Sequence, residues 1–202
     1  MRNRLEEGAQ QLSLTLSDHH YTSLIQFLRV LNKWNRVYNL TAVRNINDMV
    51  GRHILDSLSV FEYLPKENVL DVGTGAGLPV LPLAIVRPDL KFLSVESNGK
   101  KTRFQQQAIQ ELGLSNVRVS NVRIEDCEDS AHTLISRAFT APGQFLDSIK
   151  KNTLDSSRVV IMLGTKEKMP DTLPQSFVLS TLTQVDVPQF DSVRHIAVCH
   201  RT

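Results

Sequence analysis

A glycine-rich segment at residues 69–79, Val-Leu-Asp-Val-Gly-Thr-Gly-Ala-Gly-Leu-Pro, constrains the fold of this chain more than any other feature. It follows a short apolar run that is typical of a buried strand, and it opens a predicted helix at 79–86. Gly73, Gly75 and Gly77 permit positive φ angles and a close approach of the backbone to a ligand. A strand, a glycine loop and a helix in this order predict an open α/β sheet that binds a ligand at the carboxyl ends of its strands.

Strands and helices alternate after this loop. We expect strands at 91–95, 117–119, 132–135 and 158–163, helices at Gly99–Leu112 and 142–149, and a closing pair of strands at 177–182 and 194–199. This alternation predicts a Rossmann-like α/β fold, with a mostly parallel sheet, right-handed crossovers and a C-terminal antiparallel pair.

The first third of the chain has a helical pattern. Asp18 is the predicted N-cap of a helix whose apolar side chains recur at helical spacing, namely Leu24, Ile25, Leu28, Leu31 and Val37. A second helix is expected from near Asn47 until Pro65. We therefore interpret residues 1–66 as an N-terminal helical cap and residues 67–202 as the ligand-binding domain, packed together as one globular unit.

Composition excludes several classes of protein. No apolar run approaches the roughly 20 residues that a membrane span requires, and the N-terminus lacks the pattern of a secretory signal. The two cysteines, Cys127 and Cys199, are too few for a disulfide scaffold and lack metal-ligand spacing. We expect a cytoplasmic protein without a metal or a membrane partner. A net charge of +2 does not by itself indicate nucleic acid.

The form of the loop separates three nucleotide-like ligands. Gly77 is not followed by the Lys-Ser or Lys-Thr pair of a P-loop, and the third glycine comes one place too early for a dinucleotide fingerprint. S-adenosylmethionine (AdoMet) remains, and the loop resembles motif I of class I methyltransferases. Glu96, about 20 residues on at a strand end, could take both ribose hydroxyls. The alternatives are that the glycines form only a tight turn and that Glu96 is a solvated acid.

Two further segments fit the same ligand. Ile124 and Glu125 follow the third predicted strand, where they could hold an adenine or simply form an acidic turn. Arg137 follows the fourth strand and could bind the methionine carboxylate or a substrate phosphate. Its alternative is a salt bridge to Glu96 or Asp71.

The acceptor is indicated mainly by absent motifs. The chain has neither an Asn-Pro-Pro-Tyr type element for exocyclic amines nor a Pro-Cys pair for pyrimidine C5. Guanine N7 fits because it has a lone pair and no proton to lose, so that positioning and electrostatics suffice. Basic residues recur along the cap, after Glu96 and at Lys150 and Lys151, which suits contact with a phosphate backbone. Each of these clusters could equally be a solvated helix face.

The motifs together resemble the RsmG (GidB) family over nearly the whole chain. The matching segments are 34–41 (Trp-Asn-Arg-Val-Tyr-Asn-Leu-Thr), 52–58 (Arg-His-Ile-Leu-Asp-Ser-Leu), the glycine loop, 101–104 (Lys-Thr-Arg-Phe), 136–139 (Ser-Arg-Ala-Phe) and 194–195 (Arg-His). The resemblance implies an enzyme that methylates N7 of a guanine in 16S ribosomal RNA, within the assembled small subunit. It also implies contacts to AdoMet from Gly73, Leu78, Ile124, Glu125 and Arg137, and places Asn39, Arg52 and His53 at the mouth of the cleft.

We expect a monomer that binds AdoMet and either 16S RNA or the 30S subunit. The predicted cofactor residues are Gly73, Gly75, Gly77, Leu78, Glu96, Ile124, Glu125 and Arg137. The predicted RNA-binding residues are Arg36, Asn39, Arg52, His53, Lys100, Lys101 and Lys166. No residue is firmly assigned to catalysis, and the candidates are Arg137 and Phe139, the latter for stacking on the guanine.

The sequence leaves three points open. Leu163 stands where the family usually has a lysine, so either Lys166 replaces that lysine or RNA binding is weaker. His53 could be a buried, satisfied histidine, and Trp34 and Tyr38 fit core packing better than base stacking. The competing functions are methylation of another RNA, a nicotinamide-dependent oxidoreductase and an inert RNA-binding subunit.

Overall fold

The computed structural model describes residues 1–64, 68–137, 140–190 and 193–202. Its helices are α1 (Arg2–Gln11), α2 (Asp18–Tyr38), α3 (Asp56–Leu58), α4 (Val80–Val86), α5 (Gly99–Leu112) and α6 (Pro142–Ser148). Its strands are β1 (Val69–Val72), β2 (Phe92–Val95), β3 (Val117–Ser120), β4 (Ala131–Arg137), β5 (Thr153–Leu163), β6 (Phe177–Val185) and β7 (Arg194–Arg201).

The strands form one sheet in the order β3-β2-β1-β4-β5-β7-β6. The pairs among β1 to β5 are parallel, whereas β7 runs antiparallel to both β5 and β6. The chain moves outward in one direction from β1 to β3 and then crosses back to β4 on the other side of β1. A crevice at the carboxyl ends of β1 and β4 is therefore expected, and the predicted fold class is confirmed.

Apolar residues cover both faces of the sheet. The larger cluster joins the N-terminal helices and helices α4 and α5 to the sheet, and it includes Leu24, Ile54, Val80 and Phe104. The smaller cluster packs α6 against the opposite face through Phe145. Because the larger core runs through both parts of the chain, α2 packs on α4 and α5, and the N-terminal helices share one core with the sheet. The division at residue 66 stays a prediction.

Helix α2 begins one residue earlier than predicted. Ser17 is the N-cap, since its hydroxyl accepts from the His20 N–H at 3.2 Å and His20 Nδ1 accepts from the Ser17 N–H at 3.3 Å. This reciprocal capping box makes Asp18 the first helical residue, so its assignment as the cap was wrong. Val37, expected on the apolar face, is 70% exposed. Asn39 ends the helix in a left-handed conformation.

The second predicted helix is irregular. It is π-helical over Val50–Leu55, continues as α3 and is followed by a 3-10 turn at Phe61–Tyr63. A π segment widens the backbone locally and often occurs at functional sites. It lies against the loop before β7, because a Cβ on Gly51 would come within 2.3 Å of the Gln189 carbonyl oxygen. Pro65, expected to end this helix, lies outside the described residues.

Trp34 confirms the expectation of core packing. Its ring lies 5.8 Å from that of Phe104, centroid to centroid, in an edge-to-face arrangement that joins α2 to α5. Tyr38 stacks on Trp34 at 5.1 Å but is 45% exposed, so it covers the edge of this core. No helix in the described part of the chain is long and apolar enough to span a membrane.

Candidate active site

The glycine loop leaves β1 in a conformation that favours glycine. Gly73, Gly75 and Gly77 have φ angles of 67°, 62° and 73°. A Cβ on Gly77 would lie 2.5 Å from Leu81 Cδ1, which is closer than real Cβ contacts. Gly77 is therefore required both by its φ angle and by its contact with α4. The loop is bonded to the sheet through the Gly73 N–H, which donates to the Val95 carbonyl at 2.9 Å.

A buried polar clamp holds the middle of the loop. The Gln105 amide of α5 donates to the Gly75 carbonyl at 2.7 Å, and its oxygen accepts from the Ser94 hydroxyl of β2 at 2.6 Å. Gln105 and Ser94 are both fully buried. Nothing in the local spacing of the sequence indicates that Gln105 reaches back to the loop, so this pair was not predicted.

Glu96 lies against the other side of the loop. One carboxylate oxygen accepts from the Gly75 N–H at 2.9 Å, the other accepts from the Asn98 N–H at 2.8 Å, and Lys101 Nζ lies 4.0 Å away. A carboxylate offers about four lone-pair sites, so each oxygen can accept one more hydrogen bond. Glu96 is thus oriented by the backbone with capacity left for a diol.

A cavity of about 270 Å³ opens beside Glu96. It is lined by Val72, Gly73, Val95, Glu96, Ser97, Lys101, Val122, Arg123, Ile124 and Glu125. Ile124 is buried and starts the 3-10 turn Ile124–Asp126, which closes the far wall. The lining combines the carboxylates of Glu96 and Glu125 with apolar side chains such as Val122 and Ile124. The structure therefore brings Gly73, Glu96, Ile124 and Glu125 together around one cavity.

Asp71 lies below the loop and is fully buried. Its Oδ2 accepts from the Val80 N–H at 3.1 Å, Oδ1 has no hydrogen bond of normal geometry to a described residue, and the nearby Thr74 hydroxyl offsets part of the effect of burial on the carboxyl. Burial raises the pKa of this carboxyl from 3.8 to about 7, because desolvation penalises its charged form. Asp71 thus helps to fix the start of α4 and titrates near neutrality.

The crevice continues past Gly73 into a second cavity of about 420 Å³. This part, which we call the basic half, is lined by the π segment, the loop, the ends of β4 and β5, and the start of β7. Its cationic side chains are Arg52, Lys101, Arg137, Lys168 and Arg194. No acidic side chain lines it among the described residues. The cavity beside Glu96 therefore adjoins a surface lined by five cationic side chains.

Arg137 is held by a residue that the sequence analysis did not single out. Its Nη1 donates to Asp56 Oδ2 at 2.9 Å, and the other oxygen of Asp56 accepts from Arg194 Nε at 2.8 Å. Asp56 is completely buried, whereas both arginines remain partly exposed. The salt bridge considered as an alternative for Arg137 therefore exists, but its partner is Asp56 and not Glu96 or Asp71. One carboxylate orients two arginines and leaves the cluster with a net positive charge.

His53 lines the basic half as a neutral side chain. Its Nδ1 contacts the Arg52 carbonyl at 2.9 Å and its Nε2 contacts the Thr41 hydroxyl at 2.9 Å. A carbonyl only accepts, so Nδ1 carries the proton and Nε2 accepts from Thr41. Burial, followed by the nearby Arg137 charge, lowers the pKa of His53 to about 4. Both ring nitrogens are occupied, which makes His53 a structural support for this wall.

The other predicted residues separate into two groups. Leu78 and Gly75 line the basic half with Lys101 and Arg52, and the Arg52 guanidinium lies 5.5 Å from the Phe190 ring centroid. Three predicted RNA residues, Arg36, Lys100 and Lys166, are exposed and line none of the cavities described here. Asn39 is also exposed, and its oxygen accepts from Arg44 Nη2 at 2.8 Å. Phe139, proposed to stack on guanine, lies outside the described residues.

The structure places Leu163, Lys166 and Lys168 differently around the end of β5. Leu163 is buried in the smaller core, so its side chain adds nothing to the basic half. Lys166 and Lys168 share a 3-10 turn, but only Lys168 lines the crevice. Sequence spacing carries no signal for Lys168, because a short turn determines which of the two lysines points inward.

Comparison with known proteins gives a consistent family. A family described as rRNA small subunit methyltransferase G (GidB) matches residues 20–197. The ribosomal RNA small subunit methyltransferase G of Marinobacter nauticus is 42% identical, with 98% of this chain and 94% of that protein aligned. The protein of the same name from Alkalilimnicola ehrlichii is 41% identical over 95% of this chain and 89% of its own length.

Solved structures agree on the fold. TrmN from Thermus thermophilus superposes with a TM-score of 0.60 at 16% identity, covering 83% of this chain and 53% of that one. A SAM-dependent methyltransferase from Aquifex aeolicus gives a TM-score of 0.56 at 16% identity, covering 87% and 97%. At this identity the likeness establishes the architecture alone.

Proposed function

The chain belongs to the rRNA small subunit methyltransferase G (GidB) family, and on that premise we propose that it transfers a methyl group from AdoMet to N7 of a guanine in 16S ribosomal RNA. The observation that carries this proposal is the pairing of two adjacent cavities. One combines the Glu96 carboxylate with apolar walls and fits a nucleoside. The other presents five cations and no described acidic side chain, which fits a polyanionic acceptor.

The chain's own residues would bind the donor with the loop and both neighbouring strand ends. Gly73, Gly75, Gly77 and Leu78 would approach it with the backbone, Glu96 would accept from the ribose hydroxyls, and Ile124 with Glu125 would enclose the adenine. Arg137, oriented by Asp56, would face the junction of the two cavities. AdoMet supplies an electrophilic methyl group on its sulfonium. The residues' task is then to hold the acceptor in line with that methyl.

The choice of N7 agrees with the ionisable groups at the junction. An exocyclic amine must lose a proton after attack, whereas guanine N7 attacks with a free lone pair. His53 cannot serve as a base, since both of its nitrogens are engaged. Asp71 is buried below the loop and bonded to the start of α4. The site is therefore suited to positioning and to electrostatic attraction of an anionic substrate.

We further infer that the substrate is the assembled 30S subunit and that the enzyme acts as a cytoplasmic monomer. The net charge is only +2, and several exposed basic residues lie outside the crevice. A modest basic surface binds unfolded RNA weakly and with little selectivity. A preformed ribosomal surface would present one guanine and several phosphates at once.

A single incubation tests this proposal. Labelled AdoMet is supplied with 30S subunits and, in parallel, with protein-free 16S RNA, and the product is mapped by cleavage specific for 7-methylguanosine. We expect one modified guanine, formed faster in the 30S arm. Label in another position of the base, or in no RNA at all, would refute the N7 assignment. Faster reaction of free RNA would contradict only the inference about the subunit.

A further inference from the structure

The basic half contains a pair of cations that flank Gly164, the residue after β5. A Cβ placed on Gly164 would lie 3.6 Å from Arg194 Nη1 and 3.7 Å from Lys168 Nζ. The two cationic atoms are therefore no more than about 7 Å apart. Gly164 offers them no side chain, so the space between them stays open to the crevice.

Neither of these two nitrogen atoms forms a hydrogen bond or ion pair of its own with the described part of the chain. Arg194 uses Nε for Asp56 and stacks 4.4 Å from the Phe190 ring centroid, which fixes its guanidinium. Its Nη1 makes no hydrogen bond to a described residue. Lys168 forms no ion pair within the described ranges. The pKa of Glu167, the acidic residue of the same turn, is lowered by a backbone hydrogen bond within the turn, by the Thr165 hydroxyl and by the charge of Lys166, and Glu167 forms no ion pair with Lys168.

We propose that Lys168 and Arg194 form a binding site at Gly164 for a phosphate of the substrate RNA. This inference rests on the proposed function and names how the acceptor is held. Two unpaired donors around an open space suit a phosphate, whose oxygens accept from both at once. The buried Asp56 acts as a positioning residue, since it sets the direction of Arg194.

The position in the sheet favours RNA phosphate over the carboxylate of AdoMet. The glycine loop follows β1, while Gly164 follows β5, two strands away in the order β1-β4-β5. Neighbouring strands are spaced about 4.8 Å apart, which puts the site roughly 10 Å from the loop. At that distance from the loop, the site lies on the side of the crevice where we expect the acceptor RNA.

Replacing Lys168 tests the site directly. Lys168→Ala should weaken 30S binding by roughly tenfold at low salt and reduce the slope of log K against log salt by about one. Lys168→Arg should restore most of the affinity, and AdoMet binding should be unchanged in both variants. Lys91→Ala removes the same charge just before β2, at the amino ends of the strands and away from the crevice, and should leave the slope unaltered. Because Lys168 is exposed, its variants should fold normally.

A second variant fills the site without removing either cation. Gly164→Asp would place a carboxylate between Lys168 and Arg194, where it should reduce 30S affinity at least as much as Lys168→Ala. The proposal is overturned if Lys168→Ala matches Lys91→Ala, or if Lys166→Ala causes the loss in its place. It is also overturned if AdoMet binding falls while the salt slope stays constant. Methyl transfer by the wild type to 30S, measured in parallel, reports separately on the proposed function.

Discussion

The carboxyl groups of Asp71 and Glu96 lie at the ends of neighbouring strands in very different surroundings. Asp71 is sealed below the glycine loop with one N–H partner. Glu96 accepts from two backbone N–H groups, lies near Lys101 and faces a cavity. The two carboxyl groups therefore have different roles because their solvation and their partners differ. Asp71 supports the loop, whereas Glu96 is available to a ligand.

Removing the Glu96 carboxylate should weaken cofactor binding. Glu96→Ala is expected to raise the dissociation constant of AdoMet by about 5- to 150-fold, which corresponds to the 1–3 kcal/mol of hydrogen bonds to a charged group. Isothermal titration calorimetry measures this directly. Asp126→Ala is the matched control, because Asp126 is an exposed carboxylate in the adjacent turn and does not line the cavity. An unchanged dissociation constant in Glu96→Ala would remove Glu96 from the site.

Titration of Asp71 should make stability depend on pH. Its folded pKa of about 7 lies above the unfolded value of 3.8, so the folded state binds more protons between these values. The contribution of Asp71 to the free energy of unfolding is then fully present below pH 3.8 and is lost as pH rises through 7. Relative to the wild type, the free energy of unfolding of Asp71→Asn should rise by about 1 kcal/mol per pH unit between pH 5 and 7, and no more above pH 8.

Denaturant unfolding of both proteins at several pH values tests this difference. His53 contributes in the opposite direction, because its pKa is lowered from 6.5 to about 4 and its neutral form is favoured by folding. That contribution is common to the wild type and Asp71→Asn, so it cancels in the comparison. A difference independent of pH would show that Asp71 is ionised in the folded state throughout.

At the scale of elements, the glycine loop is held by tertiary contacts on three sides. Gln105 of α5 binds its carbonyl, Glu96 binds its N–H and Leu81 of α4 packs against Gly77. Local sequence explains the positive φ angles of the loop, but these neighbours decide its position. The loop should therefore tolerate strain less well than an exposed turn with the same φ.

Two glycines with similar φ angles separate these effects. Gly77 has φ 73°, and a Cβ added to it would collide with Leu81. Gly113, the C-cap of α5, has φ 64°, and a Cβ added there would meet no atom within 4 Å. Gly113→Ala should cost only the left-handed strain, about 1 kcal/mol, without affecting AdoMet binding. Gly77→Ala should cost more and also weaken AdoMet binding. Thermal unfolding with and without AdoMet measures both quantities, and equal losses in the two variants would contradict this account.

At the scale of the whole molecule, Asp56 joins three distant parts of the chain. It lies after the π segment, and it pairs with Arg137 at the end of β4 and with Arg194 at the start of β7. This network connects the N-terminal helices to the parallel and the antiparallel part of the sheet, and its two arginines line the basic half. Stability and substrate binding therefore depend on the same buried charge.

Replacing Asp56 should lower both the free energy of unfolding and the affinity for the substrate. Asp56→Ala would leave two partly buried guanidinium groups without their partner, at a cost of roughly 3 kcal/mol in the free energy of unfolding. Asp89→Ala removes a carboxylate that is 59% exposed from its pair with Arg87, and should cost less than about 1 kcal/mol. Denaturant unfolding compares the two variants. If Asp56→Ala were no more destabilising than Asp89→Ala, the network would not hold the cap to the sheet.

The sequence by itself determined the features that local physics encodes. Alternating apolar runs predicted every strand of the sheet, and the glycine spacing predicted the loop. The position of Glu96 at a strand end placed it at the same edge of the sheet as the loop. Each of these patterns arises within one element or its adjoining turn. Only the tertiary structure decided which charges meet. Asp56 neutralises part of Arg137, Gln105 reaches Gly75, and Lys168 rather than Lys166 lines the crevice. Strand order and helix packing fix these contacts between residues far apart in the chain, and no local periodicity records them.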